Sequence, residues 1–254
     1  MSSYYAYYDF IINKIRTKAF YLLLPQEYIN SMKIYHGSIS IIKKPIYGYG
    51  NPYNDYGLGF YCTESKELAK EWSVDYELDG YANCYELDLK NLKVLNLNAK
   101  PYNILHWLTI LIQNRQFKDR SFLVRDAKEY LIRKFSIDYS NYDVIIGYRA
   151  DDSYFSFARD FLQGSISYRQ LSVALKIGNL GEQVVLVSQK AFDSICFIEA
   201  EKAFSDEWYL KKNNREKEAR KEYFESTKMQ RQKDELYINQ IIGEDMEVDD
   251  ERLQ

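Results

Sequence analysis

The sequence predicts an α+β domain, and three observations point to it. Two short strand-like stretches with glycines open its central part, Met32-Lys33-Ile34-Tyr35-His36-Gly37-Ser38 and Asp55-Tyr56-Gly57-Leu58-Gly59-Phe60-Tyr61-Cys62-Thr63. Segments with apolar residues at helical spacing follow, interleaved with a cleanly alternating stretch from Tyr81 to Leu89. Late in the chain, the apolar runs ending at Gly147 and Val187 suit buried strands.

In the first stretch Ile34 and His36 share one strand face and Tyr35 takes the other, with Gly37 ending the strand. The chain has only two histidines, and His36 is the one delivered beside a glycine. Gly37 and Gly59 carry no Cβ, which lets a ligand approach the backbone closely. The second stretch is a glycine-spaced turn running into an aromatic strand with Tyr61, and Thr63 is placed to cap the helix that follows. A strand histidine, a strand tyrosine and close-approach glycines make a platform for a flat ring and its sugar. The same residues also fit two ordinary strands with a satisfied histidine and a core tyrosine.

The remaining elements follow in order. Residues 1–31 read as a packed helical extension, with Phe10, Ile11, Ile15, Phe20, Leu23 and Leu24 on one face. Glu64 to Tyr76 reads as a helix with Leu68, Ala69, Trp72 and Tyr76 inward, and Leu92 to Leu97 as a further strand. Helices are expected around Ile104–Ile112 and Leu123–Phe135, with His106 as a packing or surface histidine. Asp152 caps a helix carrying Phe155, Phe157, Phe161 and Leu162, and Ser167 with Gln170 forms a capping box for the next. After a last strand from Ser194 to Ile198, residues 206–254 read as an exposed charged helical tail. Its acidic end, Gly243 to Gln254, is expected to be disordered.

The totals exclude several function classes. At 254 residues the chain holds one large domain or one domain with appendages. A net charge of -3 does not support broad electrostatic nucleic-acid binding. The longest early apolar run, Ala19 to Leu24, is too short to span a bilayer, and the start lacks the pattern of a secretory signal. Cys62, Cys84 and Cys196 lie far apart, which indicates neither a disulfide framework nor a zinc or other metal site and fits a reducing cytoplasm. No P-loop, Rossmann glycine pattern or nucleophile elbow is present. Tyrosine is abundant at 25 residues, and it suits cores and ligand walls alike.

Four segments taken in order carry a resemblance: Tyr35-His36-Gly37-Ser38, Gly57-Leu58-Gly59-Phe60-Tyr61-Cys62-Thr63, Gly147-Tyr148-Arg149-Ala150-Asp151-Asp152 and Gln183-Val184. Together they resemble a bacterial ADP-ribosyltransferase-like family of the His-Tyr-Glu/Gln class. It is long catalogued as a domain of unknown function and found beside small helical proteins in toxin–antitoxin or phage-defence settings. The resemblance covers roughly residues 32–205 and implies split mixed β-sheets around an NAD cleft, with added N- and C-terminal helices. It implies that His36 bonds the 2′-hydroxyl of the nicotinamide ribose, that the Gly37 backbone holds the carboxamide, and that Tyr61 stacks on nicotinamide. Ser38, Gly59 and Thr63 would support the cofactor or the strand geometry. Gln183 stands where better-known members carry a catalytic glutamate. Because adjacent strand residues face opposite ways, either Gln183 or Glu182 enters the cleft, and the family pattern favours Gln183.

The expected activity is mono-ADP-ribosyl transfer from NAD to an unidentified acceptor (protein, nucleic acid or nucleotide), in a toxin or defence effector with a small helical antitoxin-like partner. An NAD glycohydrolase and a non-catalytic NAD-binding module are the alternatives. Cleaving the nicotinamide–ribose bond passes through an oxocarbenium-like species, and nicotinamide leaves neutral, so positioning and electrostatics can carry most of the work.

Overall fold

The computed structural model describes residues 31–117, 121–150, 152–175, 182–227 and 235–253. The helical extension expected over residues 1–31 lies outside this range except for Ser31, which begins the first strand.

Among the described residues seven strands form two sheets. In the first, β1 (Ser31–Ser38), β3 (Gly80–Asp88) and β7 (Ile195–Ala203) pair antiparallel in the order β1-β3-β7. In the second, β2 (Phe60–Cys62), β6 (Glu182–Leu186), β5 (Val144–Tyr148) and β4 (Val94–Asn96) lie in that order. Only the β4–β5 pair is parallel, so the second sheet is mixed. A single bridge joins the sheets, where Tyr35 of β1 and Thr63 just after β2 exchange both backbone hydrogen bonds, at 2.8 and 2.9 Å.

Alternation along the strands explains where the cores lie. Ile34, Tyr85, Leu87, Val144, Val184 and Leu186 fill the space between the sheets. Leu95, Ile145 and Val185 point the other way, into a larger core with the helices. Both faces of the second sheet are therefore covered, which is why β5 and β6 read as continuous apolar runs.

Helix α1 (Lys66–Ser73) packs on the first sheet through Leu68 and Ala69. Its cap is Ser65, whose Oγ accepts from Leu68 N–H at 3.2 Å. Thr63, expected in that role, instead accepts Ser65 N–H through its own Oγ1, and Tyr76, expected inward, is exposed beyond the helix end. Helix α2 (Ile104–Asn114) is buried on all sides from Ile104 to Ile112, as an all-round apolar helix must be. His106 is buried there and closes a capping box with Asn103. Helices α3 (Phe122–Phe135), α4 (Asp152–Leu162) and α5 (Tyr168–Ala174) complete this layer, and the expected Ser167–Gln170 box opens α5. The short α6 (Gln189–Asp193) links β6 to β7. Among the described residues no helix is long and apolar enough to cross a membrane.

The C-terminal segment corrects the sequence reading. Residues 205–227 do form a helix, α7 (Ser205–Thr227), and α8 (Ile238–Gly243) follows. Neither they nor the acidic end are a solvated tail. Ala219, Tyr223, Ile238, Ile241, Met246 and Leu253 are buried in the same core as α2 and α3. The Tyr223 ring stacks on Phe157 with centroids 3.7 Å apart, and Tyr223 is buried while its neighbour Phe224 is exposed. Tyr130 Oη donates to the carbonyl of Met246 at 2.8 Å, and Tyr168 Oη to that of Leu253 at 2.7 Å. The acidic residues hide this role: Met246 and Leu253 are isolated among charges, and their partners lie about a hundred residues earlier.

Leu253 is fully buried. Leu253→Ala should therefore cost about 2–5 kcal/mol by urea denaturation, the range for truncating a buried leucine. A change below about 0.5 kcal/mol, as at an unconstrained surface position, would return this segment to the solvent.

Candidate active site

The site forms where the two sheets part. Tyr35 uses both backbone groups on Thr63, so its pairing with Cys84 of β3 is a non-hydrogen-bonded one. That pattern recurs every second residue, so Gly37, opposite Ala82, also turns its N–H and C=O away from β3 and toward β2. Continued pairing would set Gly37 against Tyr61. Instead the His36 side chain fills the gap, its Nδ1 lying 2.7 Å from the carbonyl of Tyr61. A carbonyl only accepts, so Nδ1 carries the proton and Nε2 keeps its lone pair. Burial holds the His36 pKa below its ordinary value, and the Tyr61 carbonyl offsets only part of that. The neutral ring stacks on Phe60 with centroids 4.3 Å apart.

A cavity of about 210 Å³ opens beside this junction, lined by His36, Gly37, Tyr61 and Gln183 together with Asn54, Asp55, Trp72, Arg115, Arg149 and Ala150. Tyr61 pairs with Val185, two residues from Gln183, so alternation sets Tyr61 and Gln183 on one sheet face. Gln183 is 5% exposed and its Oε1 is buried without a hydrogen-bond partner. Such an acceptor costs free energy unless a ligand fills it. Glu182 is exposed and is absent from the lining. The Tyr61 hydroxyl donates to Gly57 O at 2.6 Å and accepts Tyr56 N–H at 3.1 Å. Burial drives its pKa well above the usual tyrosine value, so Tyr61 offers the cavity a ring rather than a base.

The sequence reading gave no role to four charged or aromatic walls. Asp55, nearly fully buried, accepts Ala150 N–H at 2.8 Å and pairs with Arg115 Nε at 2.9 Å. It thereby ties the turn before β2 to the end of α2 and to the loop after β5. The Arg149 guanidinium lies over the Trp72 ring, 4.3 Å from its centroid, and Trp72 Nε1 is buried without an acceptor. Arg149 falls inside a segment quoted for the resemblance and Asp55 just before another, so position alone signalled them. Arg115 follows a helix end with no motif around it, and Trp72 reads as an ordinary inward helix residue.

Ser38, Gly59 and Thr63 do not line the cavity. Ser38 Oγ accepts Ser40 N–H, and Thr63 is fixed by the bridge to Tyr35. A Cβ on Gly59 would come within 2.7 Å of Val185, so packing against β6 explains that glycine. Gly37 has a packing reason as well, since a Cβ there would lie 2.2 Å from the carbonyl of Ala69 in α1. Its exposed backbone edge toward the cavity is a separate property of the same residue.

The arrangement offers two lone-pair acceptors, an unpaired strand edge, a ring, an indole N–H and a cation. Among the described residues its one carboxylate, that of Asp55, is already ion-paired. This suits a flat ring on a hydroxylated sugar with negative charge further along, and the volume suits part of such a ligand rather than all of it. Arg115→Ala should destabilise the protein by about 3 kcal/mol by leaving the Asp55 carboxylate buried without its cation. Thermal unfolding measures this, and an unchanged transition would mean that Asp55 does not depend on the pair.

No curated protein and no solved structure matches the chain. A family model does, over residues 32–197, which include β1, β2, β5 and β6 and with them His36, Tyr61 and Gln183. The chain belongs to that family, DUF3990, described as proteins of unknown function.

Proposed function

We propose that this domain binds NAD at the junction of its sheets and transfers ADP-ribose to an acceptor. The observation that carries the reading is the convergence of His36, Gly37, Tyr61 and Gln183 on one cavity, from strands far apart in sequence. His36 Nε2 accepts a hydroxyl of the nicotinamide ribose, and the open N–H and C=O of Gly37 hold the carboxamide. The Tyr61 ring lies against nicotinamide. Gln183 Oε1 accepts a second ribose hydroxyl, which gives that orphaned oxygen a partner. The dinucleotide continues toward Arg149, whose positive charge suits the diphosphate.

The electron pair of the C1′–nitrogen bond leaves with nicotinamide, which becomes neutral, and the ribose passes through an oxocarbenium-like state that the acceptor captures. The residues contribute orientation and fixed dipoles, with no strong acid needed. Gln183 supports a second reading, non-catalytic NAD binding, because an amide cannot stabilise the cation as a carboxylate does. NAD labelled in the adenylate separates the outcomes. Label on a macromolecule means transfer, free ADP-ribose means hydrolysis, and intact NAD with measurable binding means a binding module.

His36→Ala should weaken NAD binding by about 1–3 kcal/mol, the cost of leaving polar partners unpaired. The pH dependence follows from the lowered pKa of His36. Only the neutral ring accepts through Nε2, so affinity should stay flat as pH falls to 6.5. Below the lowered pKa it should weaken, by up to about tenfold per pH unit. The folded state takes up this proton less readily than the unfolded chain, so stability also falls as pH drops through 6.5. Titrating NAD binding by calorimetry checks this, and a midpoint at or above 6.5 would contradict the assignment.

Gln183→Ala should lower NAD turnover by roughly ten- to a thousandfold, as when one preorganised polar group is lost. Glu182→Ala should leave turnover nearly unchanged. If steady-state assays give the reverse, the catalytic assignment moves by one residue. Gln183→Glu should raise plain hydrolysis if the amide limits the cleavage step.

A further inference from the structure

The stretch between β1 and β2 leaves one wall of the cavity at Gly37 and returns to it at Asn54 and Asp55. Between these ends it presents Tyr49 at 82% exposure and Tyr53 at 57%, with Ile46 and Tyr47 also exposed. Its only charged residues from Ser38 to Thr63 are Lys43, Lys44 and Asp55. Both lysines are exposed, while Asp55 is buried against Arg115. A chain of net charge -3 therefore carries two exposed cations and three exposed tyrosines along this stretch, whose two ends join the wall of the cavity. The surface is preformed. Ile42 N–H donates to Asn83 Oδ1 at 2.9 Å, Asn83 Nδ2 donates to Ser40 O at 3.1 Å, and the Tyr85 hydroxyl donates to Ile42 O. The turn closes through Tyr49 N–H to Ile46 O at 3.2 Å, and Tyr47 sits edge-on against Phe192.

A second observation concerns the nucleophile. Among the described residues, the carboxylate that lines the cavity is that of Asp55, which is paired, while Gln183 is an amide and Glu182 lies outside the lining. An acceptor that attacks with a lone pair it already has needs no base to deprotonate it. Ring nitrogens of nucleobases meet that condition at neutral pH, whereas protein lysine and arginine arrive protonated. A protein carboxylate arrives ready as well, but it offers nothing for tyrosine rings to stack on.

We propose that the loop from Lys43 to Tyr53 is a docking surface for single-stranded nucleic acid, whose unpaired base is the acceptor. Bases stack on the tyrosines, which a duplex would not allow, and the two lysines meet phosphates. In the transfer step the C1′–nicotinamide bond breaks with its electron pair going to nicotinamide. A base nitrogen lone pair forms the new C1′–N bond. The positive charge passes to the base, which sheds an N–H proton to water where it has one. The acceptor half of this inference rests on the NAD reading, while the binding half does not.

The test uses the full chain and labelled mixed-sequence 20-mers of DNA and RNA, each as single strand and duplex. By fluorescence anisotropy the single strands should bind more tightly than the duplexes. The slope of log affinity against log salt should be shallow, about -1.4 for two phosphate contacts on a single strand. Tyr49→Ala and Tyr53→Ala should each weaken binding about tenfold, with unchanged melting temperature because both side chains are exposed. Lys43→Ala with Lys44→Ala should flatten the salt slope. With adenylate-labelled NAD present, label should stay on the oligonucleotide through a denaturing gel. Absence of single-strand binding, or tyrosine variants that bind like wild type, would overturn the docking surface. NAD cleaved with the label on protein or water alone would overturn the nucleic-acid acceptor while leaving the NAD reading standing. Oligonucleotide bound with NAD left intact would sustain the surface and sink the transfer reading instead.

Discussion

The structure depends most on the point where β1 and β2 stop pairing. Two strands that share a pair of backbone bonds at Tyr35 and Thr63 would ordinarily continue to share them. Here the next carbonyl along, that of Tyr61, takes its hydrogen bond from a side chain, His36. Buried backbone groups need partners, so this substitution makes the divergence affordable in free energy. It has two consequences at once. The imidazole is locked in one tautomer with Nε2 available, and the backbone edge of Gly37 is left without a strand. A cavity between two sheets follows from one broken ladder.

The walls are held by elements that are distant in sequence. The Asp55 carboxylate binds the turn before β2 to Ala150 and Arg115, and the Tyr56 hydroxyl donates to the carbonyl of Tyr148 at 2.6 Å. On the other side, α7 reaches α1 through the ion pair of Arg215 with Glu71, next to Trp72. Burial raises the Glu71 pKa while Arg215 pulls it back, which places the pair in a half-dry setting where geometry matters more than charge count. Helix α7 thus buttresses the wall that carries the Trp72–Arg149 stack.

Much of this was legible in the sequence, for identifiable reasons. Period-2 alternation set Tyr85 and Leu87 inward, and helical spacing located α2 and α3 to within a few residues. The pairing of His36, Tyr61 and Gln183 in one cavity was readable only through the ordered resemblance of four segments. No local pattern relates residues 36 and 183. What was not legible divides into two kinds. Gly59 and Gly37 looked alike as close-approach glycines, yet both lack a Cβ because β6 and α1 press on them, and only Gly37 also borders the cavity. Met246 and Leu253 sit in a charged segment whose average composition argued for disorder. Two well-placed apolar side chains and two tyrosine hydroxyls outweigh such an average when a long-range core is waiting for them.

The charges of the cavity limit its chemistry more sharply than its shape does. Its carboxylate, Asp55, faces a cation and a backbone amide, so it holds walls in place rather than moving protons. Tyr61 is tied at both lone-pair and proton positions by the turn it anchors. His36 has one nitrogen committed to Tyr61 and a pKa pressed downward, which makes it a hydrogen-bond acceptor far more than a proton carrier near neutrality. What remains is a rigid set of acceptors beside the stack of Arg149 on the Trp72 ring. Such a set orients a ligand and stabilises charge along it, but does little to activate a reluctant nucleophile. Any reaction at this junction must therefore take its drive from a good leaving group and from an acceptor that needs no activation.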